Sequence, residues 1–395
     1  IELPMGTAGL SPSLSLTYSS MNGNGPFGLG WDISISKISR SYLYGVPTYG
    51  FDDENGFIDI ITFNGTHLVF NKKSQGDLYY RLEKDSGYTD LIYTQKPIKI
   101  FDQQYEGGWK VQYADGKTDY FVNHPCFVES DLITEGKSCS EATISDDTKI
   151  SSWLLAASSD TNGNLISYFY TYNKGEIVID KIQYGGKNGD VVTIKFYILD
   201  DERPDPTFDY RAGFKRQNVN LYSKIHVYLK DTLIKKYCFI YRLGFNSGDN
   251  SKLLYDPDCT PKDDTLTTQP ASNDPDNKAL HIISYLDRIL SISEDKPYNE
   301  STLHHPEIVF RYSSWFTSDI LGTKKKLVYP VRGFNGRLKA GSGYFNELLD
   351  VNADGLPDII SNRTSAGKLD VLENPGQLGR DVDVDFQEIS SLTFR

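Results

Sequence analysis

The chain has 395 residues with a formal net charge of -12 at pH 7, 13% aromatic residues and only two methionines. The length allows a sizeable core and more than one domain, and the acidic balance argues against nucleic acid and anionic membrane as partners. No run of about 18 apolar residues occurs, so no helix of this sequence crosses a bilayer.

Tyrosine, phenylalanine, threonine and glycine are abundant, which predicts an all-β fold. The first element spans Ser11 to Arg40. Leu14, Leu16 and Tyr18 alternate with polar residues, and after a glycine-rich loop Trp31, Ile33 and Ile35 do the same, so two half-buried strands are expected. Within the loop, Gly23, Gly25 and Gly28 stand at the GxGxxG spacing of a dinucleotide cradle. Such a cradle needs a helix opening behind the glycines, whereas Pro26, Gly30 and the alternating strand at Trp31 follow here. Gly23, Gly25, Gly28, Gly30 and Trp31 are therefore read as structural, the glycines allowing a tight, crowded crossing. A kinase loop is excluded too, because no HRD or DFG segment occurs.

Hairpin follows hairpin after that. Asn64-Gly65 and Asp115-Gly116 each suit a type I′ turn between alternating strands. Asn162-Gly163 precedes a strand with Ile166, Tyr168, Tyr170 and Tyr172 on one face, and Glu176 to Tyr184 pairs across GGKNGD with Val191 to Leu199. Residues 248–278 are acidic, rich in Pro, Thr and Asn and almost free of aromatics, which predicts an exposed, mobile insertion. Between 279 and 293 the apolar spacing fits a helix as well as a strand, with a strand favoured for the second half. From about Leu327 glycine-punctuated loops take over, which sets domains at 1–326 and 327–395.

The four cysteines fall into two local pairs, Cys126 with Cys139 and Cys238 with Cys259; disulfides and buried thiols are both open. Asp350, Asn352, Asp354 and Asp358, with the carbonyl of Leu356, are oxygen donors at calcium-loop spacing, and Gly355 permits the turn. Ser361 in place of a closing glutamate rules out an EF-hand, and an ion-free Asx-rich turn is the alternative. His124, the pair His304-His305 and the acidic runs Asp52-Asp53-Glu54 and Asp200-Asp201-Glu202 lack the partners that metal or acid-base sites require, so turns and packing explain them better. No GxSxG or other nucleophile motif is present, and no enzymatic activity is expected.

The segments ELPMGTAGLSPSLSLTYSS and GNGPFGLGWDISISKISR resemble the opening of the SpvB-like region of Tc insecticidal toxin B components. WLLAASSDTNGNLISYFYTY is similar to that family's next segment, in the style of YD/Rhs repeats, and FNELLDVNADGLPDII resembles the FG-GAP loop that begins its β-propeller. This resemblance implies a secreted virulence protein without catalysis of its own: antiparallel hairpins form part of a Rhs-like shell around a cytotoxic effector. On this resemblance a C-type Rhs/effector component completes the shell, and a propeller follows that docks on a pore-forming A-type partner and gates release. No further blades, Rhs array or effector occur before Arg395, so the chain reads as the N-terminal part of a larger toxin polypeptide. Two alternatives are the carrier half of an SpvB-type ADP-ribosyltransferase, whose transferase would lie beyond Arg395, and a calcium-braced adhesion module.

Overall fold

A computed structural model describes residues 1–20, 22–84, 89–100, 102–133, 138–145, 147–186, 191–200, 203–244, 253–259, 283–293 and 308–310, and the backbone of four further strands between 346 and 393. The chain divides into two compact units, Ile1–Arg311 and Tyr312–Arg395.

The first unit is built on one continuous antiparallel ladder, as the all-β composition predicts. From one end its strands run Val128–Ser130, Ile150–Leu154, Lys37–Arg40, Ile61–Phe63, Thr66–Ser74, Asp77–Leu82, Thr89–Thr94, Gly108–Tyr113 and Thr118–Val122. It continues through Ala157–Ser159, Leu165–Asn173, Glu176–Tyr184, Val192–Ile198, Tyr222–Leu229, Thr232–Gly244, Ile283–Ser293 and Ile308–Val309. Only Leu155 and Ala156 separate Ile150–Leu154, near one end, from Ala157–Ser159 in the middle. That two-residue link forces the sheet to roll into a barrel. Strand alternation then points one face inward along the whole ladder, and Trp109, Trp153, Phe121, Tyr184, Ile194, Ile225 and Phe239 share one core.

Arg40 lies inside this core. Its guanidinium pairs with Asp59 at 2.6 Å, donates from Nε to the Ile150 carbonyl, and sits 5.0 Å from the Phe57 ring and 5.7 Å from that of Trp153. Asp59 in turn accepts from the backbone of Thr48 and Tyr49. A buried cation is tolerated here because every neighbour is a carboxylate, a carbonyl or an aromatic face.

The turns follow local chemistry with one difference. Asn64 and Gly65 both take positive φ, 48° and 82°, as type I′ requires. Asp115-Gly116 does not: only Gly116 is left-handed, and paired bonds between Tyr113 and Lys117 and between Gly116 and Tyr113 close a longer loop with glycine at its last turn position. Lys174-Gly175 and Gln75-Gly76 adopt the all-positive geometry instead. Their flanking strands set the register, and the cost of a positive φ at Lys or Gln is offset by the ladder.

Residues 283–293 are strand throughout, paired with Thr232–Gly244, so the helical alternative fails for them; the register is continuous on a two-residue period except at a bulge that leaves Asp287 without a cross-strand partner in Thr232–Gly244. Part of the expected insertion packs on the ladder instead of standing free. Leu253–Leu254 pairs with Arg242 and Tyr241, and Pro257–Cys259 forms a short 3-10 turn. Two anchors account for this: the Cys238–Cys259 disulfide, and an outer apolar cluster in which Leu253 and Tyr255 cover Ile240, Leu290 and Ile292. The rest of 248–278 lies outside the described residues. Cys126 and Cys139 form the second disulfide.

In the second unit, Asn346–Leu349, Asp358–Ser361, Lys368–Glu373 and Gln387–Thr393 make a four-stranded antiparallel sheet in sequence order.

Candidate functional site

The glycine-rich loop is the most specific feature of the sequence, and its surroundings define what it can do. Leu16–Tyr18 pairs with Trp31–Ile33 in a small sheet of its own, with Leu16 opposite Ile33 and Tyr18 opposite Trp31. The expected apolar face exists, but burial is uneven. Leu14 and Trp31 are buried, whereas Tyr18 is 48% exposed. Trp31 packs between the rings of Tyr18, at 5.2 Å, and Phe310, at 4.6 Å.

Between those strands, Asn24-Gly25 folds back on Gly28-Leu29, so that Pro26 and Phe27 form the tip. Phe27 is fully buried, stacked at 4.9 Å on Tyr222 and edge-on at 5.0 Å to Phe239. The tip is a plug driven into the core. Gly28, at φ 88°, crosses the strand Ile283–Ser293 so closely that a Cβ would lie 2.7 Å from the Ser284 carbonyl oxygen. A Cβ on Gly25 would lie 2.2 Å from the Trp31 carbonyl oxygen. Gly30 is left-handed against the Tyr18 ring, and Gly23 is left-handed in open space. Close approach of backbone to backbone, rather than to a phosphate, is what Gly25 and Gly28 permit, while Gly23 supplies only a left-handed turn.

A buried polar cluster that the sequence did not signal locks the plug. The Arg203 side chain is fully buried. Its Nη1 donates to the carbonyl of Gly25 at 2.8 Å, to Asn218 Oδ1 at 2.7 Å and to the Asn220 carbonyl at 3.2 Å; Nη2 donates to Asn24 Oδ1, and Nε to Asp205 at 3.0 Å. Asp205 also accepts from Asn24 Nδ2 at 2.8 Å and from the Ser284 backbone and hydroxyl at 2.8 and 2.7 Å. Each buried charge thus meets a full set of partners. Glu176 extends the cluster by accepting from the backbone of Val219 and Asn220 and from Asn220 Nδ2. Burial dominates those bonds and pushes its carboxyl up to about 7. The loop's acceptors are consumed within the protein: Gly25 O serves Arg203, and Pro26 O serves the Tyr222 N–H.

The remaining candidates take structural positions. His124 Nδ1 accepts from the Cys126 N–H and caps the turn Pro125–Phe127. Asp52 accepts from the N–H groups of Glu54 and Asn55 in its own turn, bonds that hold its carboxyl below the usual range. Of the tyrosine strand, Tyr168 is in the core, while Tyr170 and Tyr172 donate to the carbonyls of Leu155 and Pro125. No group of three or more His, Cys, Asp or Glu side chains suited to a metal occurs among the described residues. His304-His305, Asp201 and Glu202 lie outside the described residues, as do Asp350, Asn352, Asp354 and Leu356, and Asp358 is described only as strand backbone.

Against known proteins, residues 1–193 match the family model described as "Salmonella virulence plasmid 65kDa B protein", SpvB. Mono(ADP-ribosyl)transferase SpvB of Salmonella choleraesuis is 52% identical over 46 residues, 12% of this chain and 8% of that relative. The match therefore spans a small part of the curated relative's length. Among solved structures, the TcdB2-TccC3-Cdc42 crystal structure is similar at TM-score 0.60 and 17% identity over 99% of this chain and 19% of that one. The Photorhabdus luminescens Tc holotoxin pore is similar at TM-score 0.57 and 18% identity, covering 97% and 18%. At such identity the likeness is one of fold.

Proposed function

We propose that this chain is a non-catalytic wall segment of a secreted Tc-type toxin complex, part of a shell that encloses and delivers a cytotoxic effector. The observation that carries the reading is the fold likeness to the TcdB2-TccC3 structure over 99% of the chain. The rolled ladder agrees with it, because its interior is filled by its own aromatic side chains and its loop acceptors are internally bonded. The partners on this reading are the remainder of a longer toxin polypeptide, a C-type Rhs/effector component and a pore-forming A-type component. The second unit is the opening of a β-propeller on the same reading, supported by its four-stranded meander. A calcium ion held by Asp350, Asn352, Asp354, the Leu356 carbonyl and Asp358 belongs to this proposal. It is supported by the backbone pairing of Leu349, the residue before Asp350 in the sequence, with Asp358, the last residue of the run.

The test is co-expression of the complete polypeptide with a C-type Rhs partner, followed by electron microscopy. A closed hollow particle with this chain in its wall is expected. Separate particles without a cavity overturn the reading.

A second reading, the carrier half of an SpvB-type ADP-ribosyltransferase, is favoured by the family match over residues 1–193. ADP-ribosyl transfer by the complete polypeptide in the absence of any C-type partner would select it.

A further inference from the structure

The outward face of the ladder carries an arrangement that its internal contacts do not explain. Register places Phe169 opposite Lys181, Lys181 opposite Lys195, Lys195 opposite His226, and His226 opposite Lys236. These five residues form a straight row across five adjacent strands. The same strands send Ile182, Ile194, Ile225 and Tyr237 inward, so the row belongs to the opposite face. From Lys181 to Lys236 it covers three inter-strand steps, about 14 Å.

Like charges directly opposite each other on neighbouring strands repel. Lys181 and Lys195 nevertheless face each other, and among the described residues neither has an ion-pair partner; their ammonium groups lie over the rings of Phe169, at 4.6 Å, and Tyr197, at 5.2 Å. Toward the Lys236 end of the row other groups do meet the lysines. Lys224 is paired with both Asp256 and Asp258, and Lys236 donates to the Asp258 carbonyl. His226, opposite Lys195, is held neutral chiefly by burial; Lys236 and Lys224 add to this, Asp256 and Asp258 oppose it, and the ring is driven down to about 4. Asp180 acts on the Tyr197 phenol from beside Lys181, and Asp256 and Asp258 stand at the Lys224 end. Even so, in a chain of net charge -12 two lysines aligned over aromatic rings without an ion pair among the described residues are a local concentration of cations.

We propose that this row docks an acidic, extended polypeptide segment of a partner protein, with its carboxylates on Lys181 and Lys195 and its apolar side chains against Phe169 and Tyr197. Charge complementarity selects the occupant. The row is short enough for about five extended residues, whereas a long polyanion would meet the repulsion of the acidic remainder of the surface. The strands involved are internal to the ladder, so recognition runs through side chains and not through an added strand. The proposal is independent of the shell reading.

The probe is a fluorescein-labelled peptide of alternating Glu and Val, titrated with the full chain by anisotropy at low and physiological salt. Saturable one-to-one binding is expected, weakened at least about tenfold by Lys181→Glu/Lys195→Glu and unchanged by Lys72→Glu/Lys99→Glu on other strands. Lys181→Ala/Lys195→Ala, which removes the repulsion, guards against a folding artefact: it should melt no lower than the parent and still lose the peptide. Absence of saturable binding, equal loss in the Lys72/Lys99 variant, or binding only to heparin or to phosphatidylserine vesicles overturns the proposal.

Discussion

Arg203 reaches the carbonyl of Gly25 at 2.8 Å across 178 residues of sequence, and through that bond the glycine loop is fastened to the middle of the chain. Arg203→Ala would leave Asp205, whose side chain is only 6% exposed, as an unpaired buried charge. A loss of about 3–5 kcal/mol is expected, read from urea unfolding midpoints. Asn24→Ala should cost less, about 1–3 kcal/mol, and the double variant should be clearly non-additive because both side chains serve one network. Additive losses would mean that the contacts are independent.

The glycines offer an internal contrast. Gly28→Ala meets both a φ of 88° and the Ser284 carbonyl, while Gly23→Ala meets only its positive φ in open space. Gly23→Ala should cost about 1–2 kcal/mol and Gly28→Ala markedly more, with Phe27→Ala at about 3–5 kcal/mol. Equal costs at the two glycines would contradict a crossing role.

How much of this was legible beforehand depends on the range of the interactions involved. Alternation found the pairing of Leu16–Tyr18 with Trp31–Ile33 and the hairpin of Glu176–Tyr184 with Val192–Ile198, because both rest on local period and turn chemistry. The absence of a helix behind Gly28 was equally plain. Arg203 and Asp205 were hidden: they follow an acidic run that reads as a solvated turn, and their partners come from residues 24–25, 218–220 and 284. No sequence period links four such segments. Tyr18 was placed on the buried face by alternation, yet it stays half exposed because its two-stranded sheet stands outside the main ladder.

Glu176 makes stability depend on pH in a predictable direction. Its folded-state pKa of about 7 lies above the 4.5 of a free glutamate, so the folded protein binds this proton more tightly. The contribution is fully present below about pH 4.5 and is lost as pH rises through 7, with a magnitude on the order of 3 kcal/mol. Other carboxyls, Asp52 and Asp160 among them, are shifted the opposite way. The measurement is therefore the difference between parent and Glu176→Gln in urea unfolding at pH 5 and pH 8. A difference that does not change with pH would refute the assignment.

The Cys238–Cys259 disulfide closes a separation of 21 residues and holds Leu253 and Tyr255 over the outer apolar cluster. Replacing both cysteines with serine should cost about 3 kcal/mol. Limited proteolysis should then cut at Leu253 to Tyr255 first, whereas an unchanged cleavage pattern would show that the apolar contacts suffice alone.

The two-residue link at Leu155-Ala156 has a further consequence for the order in which this protein assembles. Lys37–Arg40 receives its second neighbour only when Ile150–Leu154 has been synthesised, and Arg40 donates to the Ile150 carbonyl across 110 residues. Contacts of that span are slow to form. During translation the first hairpins must therefore wait with an open edge until Ile150–Leu154 has left the ribosome, which makes that interval the one in which a chaperone would matter most.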